Sequence, residues 1–374
     1  MELFITNDLE KQIEQAKAIV QERKKYYSDE VLESIKNTVR EKTNYTSEDS
    51  INSEMYKTIY FYWAYGCPVS EYYFLDFANK SHDEIKEFVT MREKVVYRNR
   101  LNKFEDAHLL NNKWDTYNLF KDFYGRDVIK IEKDEDFSVF CDFISNHPEF
   151  VVKPTDMGGG SGVHKVTTNL NISYEEKYYL FKKLLSEIEK NKALYQRGSE
   201  NSLIIEELID QAPELSVMHP DSVNGIRVTT VKVGNKINIV HPWFKIGRGG
   251  QFLTSAVYGT LDACIDSDSG KVITPGYTEN NESFENHPDT GIQILGFQIP
   301  YWDQLLTVVK ELASRLDTIN YVGWDMVLTK NGWALMEGNF SGDFMWQMCL
   351  KRGTKREFED MIGWKLTKDF WWQE

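Results

Sequence analysis

The run Tyr321-Val-Gly-Trp-Asp-Met-Val-Leu-Thr-Lys-Asn-Gly-Trp-Ala-Leu-Met-Glu-Gly-Asn339 sets an apolar segment on each side of Lys330-Asn331-Gly332. This pattern predicts a β-hairpin. With Lys330, Asn331 and Gly332 as a three-residue loop closing on a left-handed glycine, Thr329 faces Trp333. Counting outward then sets Asp325 opposite Glu337. Asn339 shares their face, because side chains alternate along a strand. Two carboxylates and an amide oxygen converging among apolar neighbours are costly unless a cation compensates. Hard oxygen donors of this kind suit Mg²⁺, which keeps waters and is completed by substrate phosphates. A two-residue Asn-Gly turn is the alternative, and it puts the two acids on opposite faces.

Working outward, the whole chain has 374 residues, of which 41% are hydrophobic and 14% aromatic. That is enough for two or three compact subdomains with a large core, and it argues against global disorder. Lys and Arg number 44 against 58 Asp and Glu, a formal net charge of −14. An acidic balance argues against a nucleic-acid partner while leaving room for local basic pockets that bind phosphate. No stretch approaches the roughly 20 apolar residues of a membrane span. The N-terminal residues carry neither the basic region nor the apolar core of a secretory signal. Cys67, Cys141, Cys264 and Cys349 are scattered with no Cys-x-x-Cys spacing, as expected of reduced thiols. The expectation is a cytoplasmic protein.

Residues from about 8 to 110 read as mainly helical, with Ile13, Ala16 and Val20, and again Val31, Ile35 and Val39, at helical spacing. The aromatic run Tyr56 to Tyr73 is expected to pack this segment onto the rest, a ligand stack being the lesser alternative. Asn111-Asn-Lys-Trp-Asp opens a further helix, with Asp115 as its expected N-cap. From Val128 short strands alternate with helices: strands at 150–154, 164–168 and 202–209, and a helix over 173–193. After Pro213 the chain turns predominantly β, with strands at 226–233 and 237–245 before the terminal hairpin and a helix over 300–318. Phe370-Trp-Trp is expected to dock as a terminal anchor. This order predicts an α+β architecture with at least two lobes. The predicted division is 1–110, a mainly helical region; 111–205, a smaller lobe with a glycine-rich flap; and 206–374, a larger lobe with the acidic hairpin.

The second informative stretch is Val151-Val-Lys-Pro-Thr-Asp-Met-Gly-Gly-Gly-Ser-Gly-Val-His-Lys165. Gly158, Gly159, Gly160 and Gly162, with Ser161 among them, leave backbone amides open to phosphate oxygens. No Gly-Lys-Ser/Thr follows, so this is not a Walker loop. It also lacks the spacing of a dinucleotide fingerprint, and a strand rather than a helix follows. A strand–glycine loop–strand is a flap able to close over a triphosphate, with Lys153 beside it to neutralise charge. A mobile surface hairpin is the bland alternative. A third stretch, Leu203-Ile-Ile-Glu-Glu-Leu-Ile-Asp-Gln-Ala-Pro-Glu214, is an apolar strand ending in two acids. Extended backbone there can pair with an adenine edge, though most such acid pairs are solvated strand ends.

Taken together, the Lys-Pro and glycine-rich flap, the Glu-Glu-Leu-Ile strand and the terminal Asp…Glu-x-Asn resemble the ATP-grasp superfamily. His219-Pro-Asp-Ser-Val-Asn-Gly-Ile-Arg-Val-Thr229, His287-Pro-Asp-Thr-Gly291 and Gly296-Phe-Gln-Ile-Pro300 are similar to the sugar-transfer-associated ATP-grasp proteins of polysaccharide biosynthesis. The resemblance covers roughly residues 95 to 345. It implies an ATP-grasp fold, two α+β lobes enclosing ATP, behind a helical N-terminal region. It implies ATP with Mg²⁺, Mn²⁺ being possible, and an ATP-dependent ligase. In the reaction it implies, a carboxylate is phosphorylated to an acylphosphate and captured by an amine or another nucleophile, such as a sugar-linked acceptor.

The resemblance also implies residue roles. Lys153 and Lys113 contact phosphate, and Gly158 to Gly162 form the flap. Glu206, Glu207 and Ile209 line adenine, while Glu214 holds the ribose. Asp325, Glu337 and Asn339 hold the metal. Arg227 steadies phosphoryl charge during transfer. Arg248, between glycines, is free to reach an anionic substrate. One departure stands out: after Gly247-Arg-Gly-Gly the subgroup's Asp-Asn pair is replaced by Thr254 and Ser255, which puts the acceptor in question. His219, His241 and His287 lack metal spacing and are expected to be structural. A small-molecule kinase and a non-catalytic nucleotide-binding module remain the alternatives, and oligomeric state is not readable.

Overall fold

Polar residues that cap helices divide the N-terminal region into short rods. In this computed structural model, which describes residues 3–169, 171–194, 202–254 and 259–367, Asp8, Ser28 and Ser47 accept hydrogen bonds from first-turn amides. They open the helices Leu9–Glu22, Asp29–Lys42 and Glu48–Tyr65. Each such cap contributes about 1 kcal/mol by satisfying an amide that has no partner within the helix. The aromatic run does what its composition predicts: Tyr60, Phe61, Tyr65 and Tyr72 are buried in one cluster with Val231, Trp243, Tyr321 and Trp346. The helix Met91–Leu101 ends at Asn102. Asn102 is buried, donates to the Tyr321 and Phe340 carbonyls at 2.8 and 2.7 Å, and accepts from the Asn320 and Tyr321 amides. That amide ties the helical region to the last hairpin.

The helix Lys113–Phe120 is capped by Asn112, whose side chain accepts from the Trp114 and Asp115 amides. Asp115, the residue expected to cap it, lies inside the first turn. Asn112 takes the role because its extended backbone aims the side chain at the free amides.

Strands β1 (Val128–Ile131), β2 (Glu149–Pro154), β3 (His164–Thr167) and β4 (Leu203–Glu207) form an antiparallel sheet in the order β1-β4-β2-β3. Its Phe150, Val152, Leu203 and Ile205 face the helices Phe137–Asn146 and Tyr174–Leu194 through Phe140, Phe181 and Leu184. Alternation sends Lys153, Ile204 and Glu206 to the opposite face. The predicted lobe boundary at 205/206 runs through β4, which stays paired to β2 as far as Glu207.

The second sheet has the order β11-β10-β5-β6-β7-β8-β9 and is antiparallel throughout. Its strands are β5 (Gly225–Val233), β6 (Lys236–Ile246), β7 (Leu261–Cys264), β8 (Gly276–Tyr277), β9 (Ser283–Phe284), β10 (Tyr321–Thr329) and β11 (Gly332–Asn339). One face, with Ile226, Val228, Phe244, Leu261, Trp324 and Met326, packs on the helix Trp302–Ser314 and on Phe120. The other carries Val231, Trp243, Cys264 and Tyr321 into the aromatic cluster of the N-terminal helices. Arg227, Asp325, Lys245 and Asp262 alternate onto that second face.

The hairpin turn differs from the predicted one. Thr329 pairs with Gly332, so the turn is the two residues Lys330 and Asn331, yet Asp325 still pairs with Glu337. A β-bulge reconciles the two. Met326 faces Leu335 and Asp325 faces Glu337, so Met336 is one extra residue on β11, restoring the acids to a shared face.

Candidate functional site

A row of facing side chains crosses four strands of the large sheet. Glu337 stands opposite Asp325, Asp325 opposite Arg227, and Arg227 opposite Trp243. Arg227 Nε donates to Asp325 Oδ1 at 2.5 Å and Nη2 to Oδ2 at 2.8 Å. Lys245 Nζ lies 3.8 Å from Asp325 Oδ2, and Asn339 Nδ2 donates to the same oxygen at 3.4 Å. Burial pushes the Asp325 carboxyl up, but Arg227 and Lys245 outweigh it and hold it below the usual carboxylate range. The cation that the clustered oxygens require is therefore supplied in part by this guanidinium. Two of its five N–H groups serve Asp325. The guanidinium also lies 5.5 Å from the centre of the Trp243 ring.

Facing this row is the inner side of the smaller sheet. Lys153 Nζ and Arg126 Nε both donate to Glu206 Oε2, at 2.8 and 2.9 Å. Burial raises the Glu206 carboxyl, and the two cations more than reverse that, to about 2. Lys153 is half-buried; desolvation lowers its ammonium below the usual value against the pull of Glu206, and Glu337 acts on it from across the gap. Arg126 Nη1 donates to the Leu335 carbonyl at 2.8 Å, joining the two sheets directly. Lys113 Nζ donates to the Met157 carbonyl and lies 3.7 Å from Glu337 Oε1, so it touches flap and hairpin together.

The glycine loop is a set of tight turns. Gly159, Gly160 and Gly162 all have positive φ, and the Ser161 and Val163 amides bond back to the Gly158 and Gly160 carbonyls. A Cβ at Gly162 would lie 2.7 Å from Pro154 Cγ, whereas one at Gly158 or Gly159 meets nothing within 4 Å. Glycine is thus required at 162 by both backbone and neighbour.

The remaining predicted residues are more dispersed. Glu206 turns its carboxylate inward to Lys153 and Arg126, away from any strand-edge position. Glu207, one residue on, faces the other way, accepting from the Asp127 amide at 3.0 Å, with His147 Nδ1 at 3.8 Å. Ile209 is half-buried just beyond β4, and Glu214 is exposed with Tyr301 Oη 3.4 Å away. Arg248 follows β6, with Nη2 3.9 Å from Glu282 and its guanidinium over the Phe284 ring. The histidines are structural: His219 Nδ1 pairs with Ser222 Oγ, His287 Nε2 with the Gly247 carbonyl, and His241 with Glu357. Thr254 donates to the Val223 carbonyl at 3.1 Å, while Ser255 and Phe370 to Trp372 lie outside the described residues.

Four charged residues of this neighbourhood escaped sequence reasoning: Arg126, Lys245, Asp262 and Asp343. Lys245 alone carried a signal, two positions from Trp243 on an alternating strand. The others are placed by register and chain crossing, which local patterning does not encode.

The donor set fits a hard divalent ion at Asp325, Glu337 and Asn339. The three residues share one face, with both Asp325 oxygens bonded to Arg227 and the Asn339 amide nitrogen turned to Asp325, and the Glu337 side chain keeps 36% of its surface open. The cations Lys113, Lys153 and Arg227 around that gap fit a polyphosphate.

Among solved structures, the chain is similar to D-alanyl-alanine synthetase A from Vibrio cholerae O1 biovar eltor, at 14% identity over 70% of this chain and 67% of that one, TM-score 0.43. It is also similar to an L-amino acid ligase from Bacillus licheniformis, at 15% identity over 67% and 50%, TM-score 0.37. A third is N5-carboxyaminoimidazole synthase from Aspergillus clavatus, at 11% over 71% and 55%, TM-score 0.40. The chain thus spans half to two thirds of the length of these structures. No curated protein sequence matches it. A family model spans residues 92–361, taking in both sheets, the glycine flap and the acidic hairpin. The chain belongs to the sugar-transfer associated ATP-grasp family.

Proposed function

We propose that the chain is an ATP-dependent ligase that phosphorylates a small-molecule carboxylate and joins the acyl group to an amine or a sugar-linked nucleophile. The observation that carries this reading is the facing of two charged sets: Glu337–Asp325–Arg227 on one sheet, and Lys153–Glu206–Arg126 on the other. Lys113 spans them. Cations fixed on rigid strands neutralise charge where a phosphoryl group transfers, and they need no reorganisation during the reaction. Arg227 is held by Asp325 through two of its N–H groups, which fixes the orientation of the guanidinium. Lys153 is held by Glu206 in turn. A divalent ion at Asp325, Glu337 and Asn339 supplies further neutralisation of phosphate charge when bound.

In the proposed reaction a carboxylate oxygen attacks the γ-phosphorus of ATP and ADP departs. The nucleophile then attacks the acyl carbon, and phosphate leaves with that oxygen. Gly158 to Gly162 close over the phosphates and exclude water. The extended chain from Glu207 to Ile209 flanks adenine with its backbone, and Glu214 meets the ribose. Arg248 reaches toward the second substrate. The family description favours a role in surface polysaccharide or a related metabolite. Among the described residues no helix is long and apolar enough to cross a membrane, and we place the reaction in the cytoplasm.

The test is ADP release from Mg-ATP over a panel of amino acids and uronic acids, with ammonium or an amine as the second substrate. At least one acid is expected to stimulate release, and Lys153→Met is expected to lower kcat by roughly 10²-fold or more, as losing one positioned donor does. Absence of stimulation by every acid, with Mg-ATP binding intact, contradicts the ligase reading and favours a binding module.

A further inference from the structure

The N-terminal helices enclose a cavity of about 480 Å³. Arg23, Tyr26 and Tyr27 line it from the turn after Leu9–Glu22, Tyr62 and Trp63 from Glu48–Tyr65, and Arg92 from Met91–Leu101. The aromatic run thus divides its work. Tyr60, Phe61 and Tyr65 are buried in the core, while Tyr62 and Trp63 stay half-buried and face the cavity. No member of the two facing charged sets lines it, and every lining residue except Arg92 precedes the family match, which begins at 92.

Charge sets this cavity apart. The chain carries 58 Asp and Glu against 44 Lys and Arg, yet the described residues lining the cavity include two arginines and no carboxylate. Each guanidinium lies over a ring, Arg23 4.1 Å from the centre of Trp63 and Arg92 5.3 Å from the centre of Tyr62. Stacking fixes the plane of a guanidinium, whose fork of N–H groups matches the oxygens of a carboxylate or a phosphate. Trp63 Nε1 donates to Tyr27 Oη at 2.7 Å and so orients that hydroxyl. Burial raises the Tyr27 hydroxyl above its usual value, so it keeps its proton at neutral pH. Tyr26 leaves 70% of its surface in solvent, an aromatic side chain that the protein does not cover.

A void left by imperfect packing is apolar and dry. This cavity instead sets two cations and a hydroxyl among aromatic walls, and its volume falls within the roughly 300–1,000 Å³ of ligand sites. We infer that it binds a small anion carried on a ring, a carboxylate or phosphate monoester. The ring's flat face stacks on the aromatic walls while its acidic oxygens meet Arg23 and Arg92. The site is separate from the acidic hairpin, and the inference stands whether or not the chain is a ligase.

The test is binding to the full chain, followed by ligand-observed NMR titration. The anionic probes are glucuronate, glucose 1-phosphate, benzoate and phenyl phosphate, and the neutral counterparts are methyl glucoside and benzyl alcohol. At least one anion is expected to bind, with its neutral counterpart roughly ten-fold weaker or more, the size of one charge-assisted hydrogen bond. The probe that binds identifies sugar or aromatic ring, and carboxylate or phosphate. Arg23→Gln is expected to weaken that probe by a similar factor, and Tyr26→Ala by roughly three-fold or more through lost stacking. Tyr26 is exposed, so its variant carries the test where Arg23→Gln fails to fold. Binding of no anion, equal binding of anion and neutral counterpart, or an affinity unchanged in both variants overturns the inference.

Discussion

Arg227 clamps Asp325 across adjacent strands through two hydrogen bonds of 2.5 and 2.8 Å, and neither side chain is more than a tenth exposed. This pair organises the rest of the polar row, with Glu337 and Asn339 on one side and Trp243 on the other. Removing one member leaves the other charged, buried and alone. Asp325→Ala is therefore expected to destabilise the protein by about 3–5 kcal/mol in urea denaturation, with Asp325→Asn less severe. A loss below about 1 kcal/mol, the size of an exposed pair, contradicts the clamp.

Glu206 yields a prediction with pH. Its carboxyl titrates at about 2 in the folded chain against an ordinary 4.5, because Arg126 and Lys153 overcome its burial. A depressed folded value means that the unfolded chain binds the proton first. The stability it contributes is present above pH 4.5 and is lost as pH falls toward 2. Wild type should exceed Glu206→Gln in stability by on the order of 2–3 kcal/mol at neutral pH, and the gap should close across that acidic window. A gap independent of pH would mean the carboxylate is not held by the two cations.

Asp262 carries the opposite sign. Burial lifts its carboxyl to about 6 from an ordinary 3.8, with Lys245 and Arg227 opposing the rise. The folded chain therefore binds the proton more readily, and stability falls as pH rises from 3.8 to 6. Asp262→Asn should be more stable than wild type by on the order of 1–3 kcal/mol at pH 7, with no gain well below pH 4. A variant destabilised at neutral pH would identify Asp262 as a purely structural partner of Lys245.

The flap separates two glycines. Both Gly159 and Gly162 have positive φ, but an added Cβ would meet a neighbour, Pro154, at Gly162 and nothing within 4 Å at Gly159. Gly159→Ala pays the conformational cost alone, about 1–2 kcal/mol locally. Gly162→Ala adds a clash with a rigid ring and should raise KM for ATP clearly more than Gly159→Ala does. Equal effects of the two substitutions would show that the Pro154 contact does not shape the loop.

Much of the architecture was legible because alternation and helical spacing are local signals. The strands at 150–154, 226–233 and 237–245 appear within a residue or two of their predicted ends. The hairpin acids were legible for a partly mistaken reason: the turn is one residue shorter than expected, and the bulge at Met336 makes up the difference. A bulge leaves no clear mark in a single apolar run. Part of the compensating charge at Asp325 comes from Arg227, which lies 98 positions away in sequence and is brought there only by the register of β5 on β10. Glu206 was expected beside adenine with Glu207, whereas alternation on β4 turns its carboxylate to Lys153 and Arg126. Lys94 and Asp343 meet at 3.5 Å from opposite ends of the chain, a pairing for which no spacing rule exists.

The most direct test of the central claim follows one oxygen atom. With a substrate acid labelled with ¹⁸O in its carboxylate, Mg-ATP and an amine, ligation through an acylphosphate transfers one labelled oxygen into the released phosphate, because the acyl C–O bond breaks and the new P–O bond survives. Mass spectrometry of the phosphate is expected to find that label. Unlabelled phosphate, or a stable phosphate ester with no free phosphate at all, would contradict the proposed activation of the carboxylate.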